Sequence, residues 1–330
     1  MSILKRSVTA CAALVLAVGA ARGEAVQLDQ KVAGYKPTQG ISGSLKSIGS
    51  DTMNNEMTLW AEGFRKFYSN VRIEIEGKGS STAPPALTEG TAQFGPMSRE
   101  MKAEEVDLFE KKHGYKPAVV RTSIDMLAVY VHKDNPIACL SLQQVDAIFS
   151  KTRRGGGRSD IKTWGDLGLT GQWADKPISL YGRNSASGTY GYFKENALFK
   201  GDYKDSVKEQ PGSSSVVQAV ATDRYGIGYS GIGYKTADVR AVPLSVKTGG
   251  ECEETTADNA YSGRYPLARF LYLYVNRTPG SSLDPLRREF LVYVLSREGQ
   301  EAVIKDGYLP LPAPMLAEEM AKLGAGAPGR

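Results

Sequence analysis

Apolar and polar positions in the first third of the chain follow two periods. "LKSIGS" at residues 45–50 predicts a short strand that runs into a turn, and "VRIEIEGKG" at residues 71–79 alternates as a second strand does. Between them lies the apolar stripe of an amphipathic helix, with residues three and four positions apart: Met53, Met57, Trp60, Phe64 and Phe67. "SSTAPPALTEG" predicts a second helix, capped by Ser81 or Thr82 with prolines in its first turn, and "AQFGPMS" a third strand. This order favours a parallel α/β layer.

Later segments continue the mixed pattern. "AVVRTSIDMLAVYVHKDNP" and "RYPLARFLYLYVN" predict long strands near residues 120–132 and 266–276. Between them, "SLQQVDAIFSK" predicts a helix capped by Ser141, "PISLYGRN" a strand, "SSSVVQAVATD" a serine-capped helix and "GIGYSGIGY" a buried strand. "PLRREFLVYVLSREGQEAVIKDGY" at residues 285–308 then predicts one or two terminal helices. Two long strands that bracket a central segment are expected of a chain that leaves one domain, builds a second and returns.

The N-terminus predicts export. "LKRS" supplies a positive segment, and "VTACAALVLAVGA" an apolar run too short to span a bilayer, so we expect a signal peptide at residues 1–25, cleaved after Ala21 or Ala25. Lipidation of Cys11 is disfavoured because the apolar run follows that cysteine. The expected location is the periplasm.

Charge and cysteine count narrow the function class. The net charge of +5 falls to +3 without residues 1–25, which hold three basic residues and one acidic residue, and this weak balance does not predict a nucleic-acid partner. Cys139 and Cys252 remain after cleavage. We expect them to pair in an oxidising compartment, with two buried thiols as the alternative. Two cysteines and two scattered histidines give no metal-site spacing, and no cofactor is predicted.

Three glycine- and hydroxyl-rich turns share one design. "GSDTM" at residues 49–53, "GKGSSTAP" at 77–84 and "SASGTY" at 185–190 each lie between a predicted strand and a predicted helix. The first turn of a helix has unpaired N–H groups and the positive end of the helix dipole, so it binds anions. Each turn taken singly also fits an ordinary helix cap. Together with Arg183, whose planar fork suits a tetrahedral oxyanion, they predict an anion cradle.

A hydrolase is the catalytic alternative, with Ser185 or Ser187 as the nucleophile. "GRNSA" and "GYSGI" both lack the last glycine of the G-x-S-x-G elbow. His113 and His132 are expected at the surface, so no serine–histidine pairing is indicated. A nucleotide loop of the G-x-x-x-x-G-K-[ST] type is absent.

"LSLQQVDAIFS", "TWGDLG" and "PISLYGRNSASGTYGYF" together resemble the signature of periplasmic phosphate-binding proteins of ABC importers. "GSDTM" and "GKGSSTAPPALTEG" are similar to that family's two N-terminal ligand loops, and the resemblance extends over residues 45–323 in the family's order. It implies a type II periplasmic binding protein: two α/β lobes, a ligand cleft between them and two crossover hinge strands. We then expect a leader at residues 26–43, a first lobe at 44–124 and 266–330, and a second lobe at 125–265.

The resemblance also implies the ligand contacts. They are Thr52, the Met53 N–H, Ser80 or Ser81, Arg183, Ser187, Gly188 and Thr189. Inorganic phosphate is the implied ligand and an inner-membrane ABC permease the implied partner of a monomeric, non-enzymatic receptor. A surface adhesin or scaffold that reuses the fold is a further alternative.

One departure from the family concerns selectivity. Many relatives have an aspartate where this chain has Ser98, followed by Arg99, in "QFGPMSRE". Such a carboxylate accepts the proton of phosphate and rejects sulfate, which has no proton to offer. Either Asp51 takes over this role or Asp51 caps the helix that begins at Met53, and Arg99 is a candidate for added charge in the site. The ligand is therefore phosphate or a related tetrahedral oxyanion.

The basic segment "KTRRGGGR" at residues 151–158 is an insertion relative to the family. A solvated loop is the simpler interpretation, and an anion-attracting surface is the alternative.

Overall fold

The computed structural model describes residues 26–157 and 159–324. The strands are β1 (Gly43–Gly49), β2 (Val71–Gly77), β3 (Gly95–Met97), β4 (Ala118–His132), β5 (Leu140–Ser141), β6 (Ser179–Arg183), β7 (Lys208–Gln210), β8 (Gly226–Gly231), β9 (Val239–Ala241), β10 (Leu244–Ser245) and β11 (Ala268–Val275). The helices are α1 (Asn54–Arg65), α2 (Ala83–Glu89), α3 (Ala103–His113), α4 (Leu142–Phe149), α5 (Gly188–Asn196), α6 (Ser213–Thr222), α7 (Ala257–Tyr261), α8 (Pro285–Val294), α9 (Arg297–Lys305) and α10 (Ala313–Lys322). The predicted signal peptide lies outside the described residues.

The first three strands form the predicted parallel layer. β1 pairs with β2 in parallel, and a parallel bridge between Ser47 and Phe94 joins β1 to the entrance of β3. α1 covers this layer with its apolar face, where Met57, Trp60 and Phe64 are fully buried. Phe67 lies beyond the end of α1 and is 40% exposed, so its place in the apolar stripe was wrong.

The strand β4 connects the two lobes. Its first part, up to Met126, pairs with β11, and its second part, from Leu127, pairs with β8 and β9. The chain crosses back beside it, where Leu127 N–H donates to the Leu267 carbonyl just before β11. The sheet order β3-β11-β4-β8-β6-β7 is therefore continuous across both lobes, and β4 and β11 are the two long strands predicted from the sequence. The residue boundaries of the lobes stay a prediction.

Helix starts agree with the sequence to different degrees. At α4, Ser141 Oγ accepts from Gln144 N–H at 3.2 Å, as predicted for a serine cap. Thr82 precedes α2 as predicted but does not cap it, because its hydroxyl donates to the Gly79 carbonyl at 2.8 Å instead. The predicted terminal helices are present as α8 and α9, whereas α10 lies beyond that segment and was not predicted.

The leader packs against the helices near the other end of the chain. Val32 and Tyr35 are buried, and Tyr35 N–H donates to Glu298 Oε2 at 2.7 Å. Arg297 N–H donates to the Ala33 carbonyl at 2.8 Å. The leader is thus part of the same lobe as α8 and α9.

Cys139 and Cys252 form a disulfide, as expected. It lies beside the two-stranded parallel sheet of β5 and β10. Among the residues described, no helix combines the length and the apolar character needed to cross a membrane.

Candidate functional site

Four helix starts meet in the cleft between the lobes. Thr52 lies just before α1, Ser80 begins the 3₁₀ turn before α2, Thr189 is in the first turn of α5, and Ser213 begins α6. All four residues are at most 1% exposed. The predicted arrangement of strand-to-helix turns is therefore present, with α6 as an additional member.

The turns touch one another across the cleft. Thr52 Oγ1 and Thr189 Oγ1 are 2.8 Å apart and share a hydrogen bond. Ser81 donates to the Ala186 carbonyl twice, from its N–H at 3.1 Å and its hydroxyl at 3.0 Å. Ser80 Oγ accepts from Ser98 N–H at 3.0 Å. Hydroxyl-bearing residues of both lobes thus meet in one cluster in the cleft.

Two glycines allow this close approach. A Cβ atom on Gly188 would lie 2.2 Å from Ser80 Oγ and 2.6 Å from Ser98 Oγ, so no other residue fits there without displacing the opposite lobe. Gly79 has a φ of +117°, and a Cβ there would lie 2.4 Å from the Ala186 carbonyl oxygen. Glycine at both positions is required by the contact between the lobes.

Several donors in this space have no acceptor in the described part of the chain. The backbone N–H groups of Met53, Ser80 and Gly188, each at a helix start, donate no hydrogen bond there. Arg183 Nε is also buried without a partner among those residues. Since buried N–H groups are nearly always paired, this concentration of donors indicates an anion-binding site.

Arg183 supplies the positive charge. Its side chain is 1% exposed, with Nη1 donating to Ser213 Oγ at 2.6 Å and Nη2 lying 3.2 Å from Asp51 Oδ2. Burial lowers the pKa of the guanidinium, and the negative charge of Asp51 acts in the opposite direction. Arginine nevertheless stays protonated at neutral pH, so the site keeps a fixed cation.

Asp51 does not cap α1, which was one of its two predicted roles. α1 has Met53 at its N-cap position with no side-chain cap. Asp51 Oδ2 instead accepts from Ser213 N–H, at the start of α6, at 2.8 Å. The serine cap predicted for α6 was therefore also wrong, since its N-cap residue is Gly212 and the acceptor is supplied across the cleft.

Ser187 and Arg99 have partners of their own. Ser187 Oγ caps α5, accepting from Thr189 N–H at 3.1 Å and Tyr190 N–H at 3.3 Å. Arg99 forms a two-pronged ion pair with Glu105 at 2.6 and 2.7 Å. The charge of Arg99 is thus compensated by Glu105 and does not add to that of Arg183.

A buried ion pair that was not predicted from the sequence lies beside these residues. Arg269 and Asp125 are cross-strand partners on β11 and β4, with Arg269 Nη2 at 2.8 Å from Asp125 Oδ2. Arg269 Nη2 also donates to Thr189 Oγ1 at 2.9 Å. A charged residue inside each long apolar strand was the available signal, because strands buried on both faces rarely carry unpaired charges.

The remaining candidates lie elsewhere. His113 and His132 are both partly buried rather than at the surface as expected, and the ring of His113 contacts the Thr88 carbonyl at 3.1 Å. Within the described ranges, no group of three or more His, Cys, Asp or Glu side chains is arranged to hold a metal. The basic segment is irregular as far as Gly157, with Lys151 paired to Asp205 at 2.9 Å, and Arg158 lies outside the described residues.

Comparisons with known proteins agree on one family. Residues 34–298 match the PBP superfamily domain. The phosphate-binding protein PstS of Pseudomonas aeruginosa is 57% identical over 321 residues, which are 97% of this chain and 99% of that protein. PstS of Staphylococcus haemolyticus is 29% identical over 86% of each chain.

Two solved structures are also similar. One, from Clostridium perfringens, is described as a phosphate ABC transporter substrate-binding protein with bound phosphate. It is 27% identical, with a TM-score of 0.70 over 82% of this chain and 100% of that one. An ABC-type phosphate transport receptor from Vibrio cholerae, 19% identical with a TM-score of 0.63 over 81% of this chain and all of that one, supports the fold alone.

Proposed function

The chain belongs to the PBP superfamily and to its family of PstS phosphate-binding proteins, and from this premise we propose that it is a periplasmic receptor for inorganic phosphate that serves an ABC importer. The observation that carries the proposal is the set of unpaired donors in the cleft. Backbone N–H groups at three helix starts and Arg183 Nε have no acceptor among the described residues, and these helix starts bear the hydroxyls that meet across the cleft. Such a set of fixed donors suits a dehydrated tetrahedral oxyanion.

Binding is expected to couple to closure of the lobes. Thr52, Ser80 and Ser98 belong to loops of the first lobe, whereas Arg183, Gly188 and Thr189 belong to the second. An anion that takes donors from both sides stabilises the closed arrangement over an open one, with β4 and β11 as the connecting strands.

Selectivity for phosphate is assigned to Asp51. Ser98 Oγ is an alcohol and does not penalise an unprotonated anion as a carboxylate does. Asp51 is the acidic residue beside Arg183, and its Oδ1 makes no hydrogen bond within the described part of the chain, which leaves it able to accept the proton of phosphate.

The receptor is proposed to be non-enzymatic. The named relatives are binding proteins of transporters. Ser187 Oγ accepts two N–H groups of its own helix, and no histidine contacts it among the residues described. These contacts suit a helix cap, and no observation favours the hydrolase or the adhesin alternative.

Calorimetric titration of the purified, anion-free protein with phosphate, arsenate, sulfate and molybdate tests the proposal. We expect tight binding of phosphate, comparable binding of arsenate, which has the same shape and protonation, and weak binding of sulfate. No heat with any of the four anions would overturn the receptor function. Preference for sulfate or molybdate would keep the receptor and replace its ligand.

A further inference from the structure

The ion pair between Arg269 and Asp125 lies on the two strands that connect the lobes. The two residues are directly opposite in the β4–β11 register and are 6% and 0% exposed. Arg269 Nε and Nη2 donate to Asp125 Oδ2 at 2.9 and 2.8 Å. Asp125 Oδ1 accepts from Ile232 N–H, in the second lobe, at 2.9 Å. Both carboxylate oxygens of Asp125 therefore accept hydrogen bonds from protein groups.

Arg269 also reaches both sides of the binding cleft. Nη1 donates to the Ser98 carbonyl at 2.8 Å, in the loop after β3 of the first lobe. Nη2 donates to Thr189 Oγ1 at 2.9 Å, at the start of α5 in the second lobe. The guanidinium lies 5.2 Å from the ring centre of Tyr192, which limits its freedom to turn away.

The bond to Thr189 fixes the direction of a hydroxyl. A threonine hydroxyl has one proton and two acceptor lone pairs, whereas a guanidinium only donates. When Arg269 donates to Thr189 Oγ1, the proton of Thr189 must point elsewhere, towards Thr52 Oγ1 or an anion in the cleft. Arg269 therefore converts Thr189 from an ambivalent group into a donor.

We propose that Arg269 is a positioning residue for the anion: it orients the Thr189 hydroxyl as a donor and holds the loops of the two lobes in the closed arrangement. This inference rests on the proposed function, because it assigns Arg269 a part in the same site. A purely structural ion pair would need only Asp125. The two further bonds, one to each lobe, form together only when the lobes are closed, so their loss should speed release of the anion.

A double-mutant cycle with inorganic phosphate tests the role. The pair variant Arg269→Gln/Asp125→Asn removes both charges together and avoids leaving a buried carboxylate unpaired. We expect it to raise the Kd for phosphate about 10-fold or more, mainly through faster dissociation, since a charge-assisted hydrogen bond is lost. In a Thr189→Val background the same pair change should raise Kd by less than about 3-fold, because Arg269 then has no hydroxyl to orient.

Arg121→Gln is the matched control. Arg121 lies on β4 and pairs with Glu318 and Glu319 at 2.7 and 2.5 Å, but it contacts no cleft residue. The Kd of Arg121→Gln for phosphate should match that of the wild type, although the melting temperature of this variant should fall. The single variant Arg269→Lys, which keeps the charge but lacks the fork, should weaken binding while staying folded.

The outcomes separate this inference from the proposed function. Absence of phosphate binding by the wild type overturns both. Suppose instead that the wild type binds phosphate, but the pair change alters Kd equally in the wild-type and Thr189→Val backgrounds, or in neither. That result overturns the role of Arg269 alone.

Discussion

Arg183 combines near-complete burial with only partial hydrogen bonding. Its Nη atoms contact Ser213 and Asp51, while Nε has no partner among the described residues. We expect Arg183→Ala to weaken phosphate binding about 10- to 100-fold, because a charge-assisted hydrogen bond contributes about 1.5–3 kcal/mol. The Kd of Arg183→Lys for phosphate should lie between those of the wild type and Arg183→Ala, since lysine keeps the charge and loses the planar fork. Calorimetry gives the affinities, and a thermal melt shows that each variant is folded. An unchanged Kd in a folded alanine variant would remove Arg183 from the site.

Asp51 is predicted to set the preference for phosphate over sulfate. Asp51→Asn keeps an acceptor oxygen for Ser213 N–H but also donates, so it no longer penalises an unprotonated anion. We expect the ratio of sulfate Kd to phosphate Kd to fall about 10-fold or more, because the amide can donate to sulfate whereas the carboxylate only repels it. Competition titrations measure the ratio. Asp205→Asn, which removes a charge from an exposed pair with Lys151, is the control and should leave the ratio unchanged. Equal ratios in wild type and Asp51→Asn would restrict Asp51 to holding Arg183 and α6.

Single site residues could be predicted from the sequence where the neighbouring residues already form a recognisable pattern. Thr52, Ser80 and Thr189 stand in short turns whose composition already indicates a helix start, and Arg183 ends the strand before one of them. The charges of Arg269 and Asp125 inside apolar strands indicate that each has a partner, but they do not identify it. The two residues are 144 positions apart, and their contact depends on the register of two long strands.

Glycine at the start of α5 determines how closely the lobes approach. A methyl group in Gly188→Ala would lie 2.2 Å from Ser80 Oγ and 2.6 Å from Ser98 Oγ. This overlap disfavours the closed arrangement, so phosphate affinity should fall about 100-fold or more. Gly191→Ala, in the same helix, is the matched control. Its Cβ would lie 3.4 Å from the Arg99 side chain, an ordinary contact, and its affinity should be that of the wild type. Calorimetry compares the affinities of Gly188→Ala and Gly191→Ala for phosphate. Equal affinities would show that the cleft accommodates a methyl group at position 188.

Asp306 ends α9, where the negative end of the helix dipole faces it. Burial raises the pKa of its carboxyl group to about 7, and the nearby Asp125 acts in the same direction. A raised pKa means that the folded state holds the proton more tightly, so this stability is present below the ordinary pKa of an aspartate and is lost as the pH rises through 7. The melting temperature of Asp306→Asn should therefore be higher than that of the wild type at pH 8, and the difference should be small at pH 5. Thermal melts across this range measure the gain, and a gain that does not depend on pH would contradict the assignment.

Helix positions were more predictable than helix caps. The apolar stripe locates α1, which buries Met57, Trp60 and Phe64 as expected. The first N–H of α6 is satisfied by Asp51 from the other lobe, and no pattern within "SSSVVQAVATD" indicates that partner. Caps supplied by distant residues follow from the tertiary structure rather than from local preference.

Over the whole molecule, the disulfide joins residues 113 positions apart beside β5 and β10. Constraining so long a loop in the unfolded chain typically adds about 2–4 kcal/mol to the free energy of unfolding. Reductant should therefore lower the melting temperature of the wild type. Cys139→Ser/Cys252→Ser should melt at the lowered temperature whether or not reductant is present. A wild type insensitive to reductant under conditions that open the bond would show that packing alone holds this region.

The leader packs against the start of α9, so these two segments belong to the same lobe. Fluorescent labels placed on the leader and on α9 would keep a constant separation when the anion enters. An optical phosphate reporter built on this scaffold needs one label on α9 and the other on the second lobe, for example on α5, so that closure of the lobes changes the distance between them.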